Sequence, residues 1–380
     1  MKETKINMVS CQHFLSGIGQ YGYQLSQKMQ EKGREVHLFK PAKKGYKDSH
    51  VDTESWVTPI RYKSLGSLHP YILPLFISKQ LALQNNKAIY HAHWFLSGLA
   101  VSYIKKKFVV TMHDVSLMHV KEKNSHYTKY YAWAISRFKK LGVPIITVSK
   151  KARMDAIEYG NIPEKQVHTV YNGIDFNRFN INLIGNSVES TVKYSNANTL
   201  SKNHHEVFTI VYAGGLGPRK NLKLLLEAYK DLEEKYPFLQ LKIAGAFPER
   251  TSSPSHAISL GIKNIRFTGY LPDEEMPEFY RQADLFIFPS EYEGFGFAPL
   301  EAMACGTPVL CAKGGALQEI SGGGANLFDY DKDDLVEKAS QLIESDIARK
   351  KLIAKGSEWV QQYQWEKTAE QTETIYQLIA

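Results

Sequence analysis

Cysteine is scarce in this chain: its 380 residues include three, Cys11, Cys305 and Cys311. An odd number, two of them in apolar strand patterns, argues against a disulfide framework and reads as reduced, buried thiols in a cytoplasmic protein. No apolar run approaches the ~20 residues of a membrane span. The opening MKETKINMVSC lacks the apolar core of a secretory signal. No helix-turn-helix, zinc-ligand spacing or RNP pattern occurs, so nucleic acid is not an expected partner. Acid is short in the first half, where residues 1–180 hold 27 Lys and Arg against 12 Asp and Glu, while the remainder holds 20 against 27. The net charge of +8 therefore divides into +15 and −7. A basic half suits anionic lipid or a phosphate-bearing molecule, or is simply a solvated face.

What is present describes an ordinary globular protein, with an apolar share of 43% and length enough for two domains. The opening reads as a strand from Lys5 to Cys11, a loop Ser16–Gly17–Ile18–Gly19, a helix to about Lys32, and a strand from Glu35 to Lys40. This βαβ start predicts a parallel, doubly wound α/β domain. Gly17 to Gly22 satisfies the GxGxxG spacing of dinucleotide loops. Where an acid should follow about 20 residues on stand Lys40, Lys43 and Lys44, so an NADP-dependent oxidoreductase using the 17–22 loop is one reading.

Residues 41–55 read as polar and irregular. Leu68 to Leu83 reads as a core helix, with a substrate wall or a membrane-dipping segment as alternatives. His91 and His93 alternate on a strand end, but no third ligand stands at useful spacing and no metal is expected. Phe108 to Met112 is a buried strand ending in His113–Asp114, where parallel sheets bind ligands. Tyr127 to Lys140 reads as a basic, aromatic helix, suited to a membrane interface or to a surface helix with Trp133 or Phe138 in the core. Residues 180–205 are rich in Asn and Ser, without periodicity, and read as a linker.

In the second half, strand Phe208 to Ala213 leads into Gly214–Gly215–Leu216–Gly217–Pro218–Arg219–Lys220–Asn221 and a helix from Leu222. Glycines and adjacent cations at such a turn suit a diphosphate, although the spacing is not a Walker loop. Further on, strand Leu285 to Phe288 is followed by a turn through Glu293, by Gly294 and Gly296, and by a helix from about Ala298 with Pro299 at its first position. Free N–H groups and the helix dipole make this an anion site. Glu301 is placed in the first helical turn, either favouring the dipole or contacting sugar hydroxyls beside a bound phosphate.

Glu293–Gly–Phe–Gly, four residues, then Glu301 followed by Ala–Met–Ala–Cys–Gly–Thr–Pro–Val, resembles the signature of the retaining, GT-B fold glycosyltransferases of family 4. The resemblance implies an α/β GT-B architecture of two facing Rossmann-like, doubly wound domains with an interdomain cleft. Its divisions would be an acceptor-side domain at 1–180, a linker at 181–206, a nucleotide-sugar domain at 207–362, and a helix at 363–380 crossing back to the first domain.

The roles it implies are specific. Gly17 and Gly19 would approach the donor phosphates, with Ser16 standing where the family has the first of a glycine pair. His113 and Glu293 would meet the donor sugar. Gly214, Arg219 and Lys220 would hold the diphosphate. Lys220 matches the family's lysine, and Arg219 is the candidate to replace an arginine common where this chain has Gly215. The loop after strand Leu241 to Gly245 is a candidate base wall, and Tyr270 and Leu271 would face the base. Gly294, Phe295, Gly296 and Phe297 would line the donor, and Glu301 would hold its ribose.

The implied reaction moves a sugar from a UDP- or GDP-sugar to a hydroxyl of a glycan or lipid-linked acceptor, with anomeric configuration kept, in bacterial envelope polysaccharide synthesis. No metal or cofactor is expected, since two cations and a helix dipole stand where an Asp-x-Asp pair would hold one. The expected location is the cytoplasm, peripheral at the inner face of an anionic membrane. A nucleotide-sugar epimerase of the same fold and a non-catalytic nucleotide-sugar binder remain as alternatives.

Overall fold

The structure, a computed structural model, describes residues 4–12, 17–43, 54–62, 68–84, 87–115, 126–181 and 207–379. The expected Ser16, Lys44 and nearly all of the linker lie outside them. The chain divides into two units. The first comprises Met1–Asp175, Glu293–Phe297 and Gln362–Ala380, the second Phe176–Tyr292 and Ala298–Gln361.

The first unit is built on seven strands: β1 Ile6–Val9, β2 Val36–Lys43, β3 Val57–Tyr62, β4 Ile89–Ala92, β5 Phe108–Met112, β6 Ile145–Thr147 and β7 Val167–Thr169. They lie in the order β3-β2-β1-β4-β5-β6-β7, and every pair is parallel. Ile6 of β1 stands between Val36 and Ile89. Helices cover both faces, which is why β1 and β5 are mostly apolar, broken only by Asn7 and Thr111, and are buried throughout. On one face, Tyr21, Leu25 and Met29 of α1 (Gly17–Glu31) share a core with Trp365, Ala369 and Tyr376 of the C-terminal helix Trp365–Gln377. On the other face lie α2 (His69–Ala82), α3 (Phe95–Tyr103), α4 (His126–Leu141) and α5 (Lys150–Glu158).

Two details differ from the sequence reading, and a third is decided between its alternatives. β3 was not expected, because Pro59 interrupts it. It is an edge strand, where a residue without an N–H costs the ladder little, and β2 likewise runs through Pro41 to Lys43. The glycines of the GxGxxG spacing are not in a loop, because α1 begins at Gly17. Of the two aromatic candidates in α4, Phe138 is in the core while Trp133 is 47% exposed.

The second unit has six parallel strands: β8 Phe208–Ala213, β9 Leu239–Ala244, β10 Ile265–Gly269, β11 Leu285–Phe288, β12 Val309–Ala312 and β13 Asn326–Phe328. Their order is β10-β9-β8-β11-β12-β13, and the helices after β8, β9, β10 and β11 are α6 (Leu222–Lys235), α7 (Ser253–Ser259), α8 (Met276–Arg281) and α9 (Phe297–Ala304). In each sheet the winding reverses once, between β1 and β4 and between β8 and β11. In doubly wound sheets, ligands bind outside the carboxyl ends of the strands at that reversal. Two doubly wound α/β units are the class read from the sequence. Among the described residues, no helix is long and apolar enough to cross a membrane.

Candidate functional site

In the second unit the reversal is flanked by the turns after β8 and β11. After β8, Gly214 has φ +152°, and a Cβ there would lie 2.9 Å from the Tyr212 hydroxyl. A single 3-10 turn, Pro218–Lys220, then leads through Asn221, at φ 52°, into α6 (Leu222–Lys235). Lys220 runs back over Gly215, where an added Cβ would lie 3.9 Å from its Cε, and carries Nζ to 5.2 Å from the centre of the Phe288 ring. Phe288 closes β11, so the ammonium stands at the strand ends beside the reversal. Arg219 braces the turn after β11: its carbonyl accepts from the Glu291 amide at 2.9 Å, and its guanidinium donates to the Tyr292 carbonyl. The two neighbouring cations thus sit differently, Lys220 over an aromatic ring and Arg219 against backbone.

Glu301 departs from its expected place. The helix α9 spans Phe297–Ala304, so Glu301 is its fifth residue and no acid lies in its first turn. The start falls early because Gly296, at φ +105°, makes the turn directly before Phe297. Pro299 is third rather than first, still among the residues whose N–H has no helical partner. A dipole-favoured acid therefore does not account for Glu301. Its Oε2 accepts from the buried Tyr280 hydroxyl at 3.0 Å, which fixes the carboxylate's direction. Tyr280, of α8 (Met276–Arg281), was not singled out from sequence, because 21 residues separate the pair and no periodicity links them.

Tyr270 follows β10 and is 49% exposed, and Leu271 is half-buried beside it. In the loop after β9, a candidate base wall, stands Phe247. It is 56% exposed in the left-handed region at φ 55°, with the Arg250 guanidinium 4.4 Å from its ring centre. Two exposed aromatics thus follow two adjacent strands.

In the first unit, the segment Glu293–Phe297 packs at the ends of β5 and β6. A Cβ on Gly294 would fall 1.8 Å from the His113 carbonyl oxygen, so only glycine fits. The Gly294 carbonyl accepts from Ser149 at 2.7 Å. Phe295 is buried edge-on to Tyr363 at 5.7 Å, which commits its side chain to packing. Glu293 is buried beside it, and Phe297 is half-buried, with its ring 3.7 Å from where a Cβ on Gly17 would stand. Gly19 is buried, and a Cβ on Gly22 would strike His93 Nδ1 at 2.3 Å, so the third glycine of the GxGxxG spacing serves helix-to-strand packing. Lys40, a candidate for an NADP phosphate, is 3% exposed.

Beneath this segment lie three buried histidines. His91 hydrogen-bonds the Tyr376 hydroxyl at 2.8 Å and the Thr111 hydroxyl at 2.7 Å, and Thr111 in turn bonds Tyr21 at 2.9 Å. Both ring nitrogens of His91 are thereby engaged. Tyr21 stands edge-on to His93 and His113, at 5.4 and 4.8 Å. Burial holds the imidazoles of His91 and His113 down to about 3 and that of His93 well below the usual value, so all three are neutral at physiological pH. A ring N–H of His113 donates to the His93 backbone carbonyl, and among the described residues its Nε2 has no partner. No group of three or more His, Cys, Asp or Glu among the described residues is placed to hold a metal ion.

The two halves of the chain match two family descriptions in tandem: Glycosyltransferase Family 4 over residues 15–178 and Glycosyl transferases group 1 over residues 198–359. The fold is shared with sucrose-phosphate synthase from Thermosynechococcus elongatus, at a TM-score of 0.79 and 20% identity, covering 99% of each chain. It is also shared with Anabaena Alr3699/HepE in complex with UDP and glucose, at a TM-score of 0.75 and 17% identity, covering 99% of this chain and 100% of that one. The two parallel α/β units are those of the GT-B fold. The chain belongs to the family 4 glycosyltransferases. Among curated relatives, it is 34% identical over 176 residues to the O-antigen chain mannosyltransferase B of Escherichia coli, a match covering 44% of this chain and 45% of that protein. The chain spans about half the length of the curated relatives it matches.

Proposed function

We propose that this chain transfers a hexose from a nucleoside-diphosphate sugar, with UDP- and GDP-sugars foremost, to a hydroxyl of a glycan or lipid-linked acceptor in envelope polysaccharide synthesis, retaining the anomeric configuration. The carrying observation is the Lys220 ammonium held over Phe288 at the reversal of the second sheet, with Arg219 next to it. In this reading Lys220, Arg219 and the first turn of α9 take the two phosphates, where charge grows as the sugar leaves. Glu301, oriented by Tyr280, accepts from the ribose hydroxyls, and Phe247 and Tyr270 stand toward the base. The acceptor oxygen bonds to the anomeric carbon, the bond from that carbon to the phosphate oxygen breaks, and the acceptor proton passes to the departing phosphate on the same face. His113 and Glu293 are assigned to the sugar on the resemblance alone. No metal is required in this scheme, because the cations supply the charge. Activity abolished by a chelator and restored by Mg²⁺ would contradict it.

The mannosyltransferase relative makes a nucleoside-diphosphate mannose the first donor to try, and the neighbour solved with UDP and glucose makes UDP-glucose the second. A thermal-shift series with UDP, GDP, ADP, CMP, TDP and NADP tests the reading. A shift with one nucleoside diphosphate supports it and names the base, whereas a shift with NADP alone sinks it. Donor conversion in water without any acceptor would instead favour the epimerase.

A further inference from the structure

Helix α2 is apolar on two opposite sides. Leu73, Ile77 and Leu81, spaced by four, enter the core. On the far side Leu68, Leu75, Phe76 and Leu83 are 58%, 55%, 40% and 80% exposed, with Lys79 among them. At the α-helical step these residues share an arc of about 100°, wide enough to be a face rather than a scatter of single exposed residues. The neighbouring α4 continues it. Lys129, Trp133 and Lys140 lie along its exposed stripe, and Trp133 stacks on Tyr130 at 5.8 Å. Tyr130 meets Tyr71 of α2 at 4.9 Å, which joins the two helices into one surface.

Charge on this surface has one sign. Neither helix contains an Asp or Glu, and from Ser55 to Arg153 the chain has 16 Lys and Arg against two acids, Asp114 and Glu122. Among the described residues, no carboxylate pairs with Lys79, Lys129, Lys139 or Lys140. A leucine row is of no use to a nucleic acid, and a face this basic repels a second copy of itself. An aromatic and aliphatic strip rimmed by lysine fits the boundary between acyl chains and anionic headgroups.

We propose that the α2–α4 face seats the protein on a bilayer carrying anionic lipid. Phe76 and Trp133 enter the headgroup layer, and Lys79, Lys129 and Lys140 meet lipid phosphates. The inference stands apart from the nucleotide reading, since none of these residues belongs to the donor set.

The test sediments the full chain with phosphatidylcholine vesicles and with phosphatidylcholine vesicles containing phosphatidylglycerol. Co-sedimentation with the second only, weakened by salt and accompanied by a blue shift of tryptophan emission, is the expected result. Phe76→Ser with Trp133→Ser lowers partitioning about tenfold or more. Lys129→Glu with Lys140→Glu removes the anionic preference, and both variants keep the wild-type thermal shift with nucleotide. Equal partitioning to both vesicles, protein left in the supernatant with both, or a serine variant that partitions like wild type would overturn the proposal. So would binding to RNA but not to vesicles, or a dimer dissolved by the serine substitutions.

Discussion

Lys220 is the residue on which the proposed chemistry turns. Removing a preorganised cation from a developing charge typically costs about 3 to 4 kcal/mol, so Lys220→Ala is expected to cut turnover ~100-fold or more while leaving the fold intact. A near-wild-type turnover number would remove that role. Glu301→Ala is expected to weaken nucleotide binding without unfolding. Tyr280→Phe probes the same contact indirectly. Losing one hydrogen bond to a carboxylate is expected to raise the nucleotide Kd about fivefold, measured by calorimetry. An unchanged Kd in Tyr280→Phe alongside a weakened Glu301→Ala would show that the phenol does not orient the acid. His113, neutral through burial, gives a further expectation. The pH profile of kcat should show no inflection near 6.5 from this group.

At the scale of elements, close backbone approach matters more than side-chain identity. The turn into α9 is docked through Gly294, whose missing Cβ leaves room for the His113 carbonyl. Gly294→Ala is therefore expected to destabilise the protein by about 1 to 3 kcal/mol, read from urea midpoints, and to displace Glu293 along with the turn. A midpoint equal to wild type would mean that the turn moves freely. The elements themselves were legible where strands are buried on both faces: β5, β8 and β11 fall where the apolar runs place them. They were less legible at β3, because Pro59 signals a break and only its edge position makes it tolerable. The short β13 gave no pattern to read. The turns after β8 and β11 were visible because glycines cluster there in sequence, with Arg219 and Lys220 beside the first. The Tyr280–Glu301 contact and the histidine chain were not, because they depend on where distant residues meet.

The whole molecule carries an acid sensitivity set by its first unit. His91, His93 and His113 have folded-state values below the ordinary 6.5, so between those values the unfolded chain binds more protons than the folded one. Stability is thus fully present above about pH 6.5 and declines as pH falls, with a limiting slope of about 1.4 kcal/mol per pH unit for each group. The thermal midpoint is expected to drop between about pH 7 and pH 5, and a flat profile would contradict the burial of the three rings.

The bond between His91 and Tyr376 has another consequence, one that concerns time. A strand made early shares its core with a helix made 285 residues later. While the polypeptide is being synthesised, the α1 side of the first sheet must wait uncovered until the helix Trp365–Gln377, whose Tyr376 lies 285 residues after His91, has left the ribosome. At a synthesis rate of about 5 to 20 residues per second, that wait lasts for tens of seconds. Throughout it, Tyr21, Leu25 and Met29 lack their partners Trp365 and Ala369, and the newborn chain is a natural client for a chaperone.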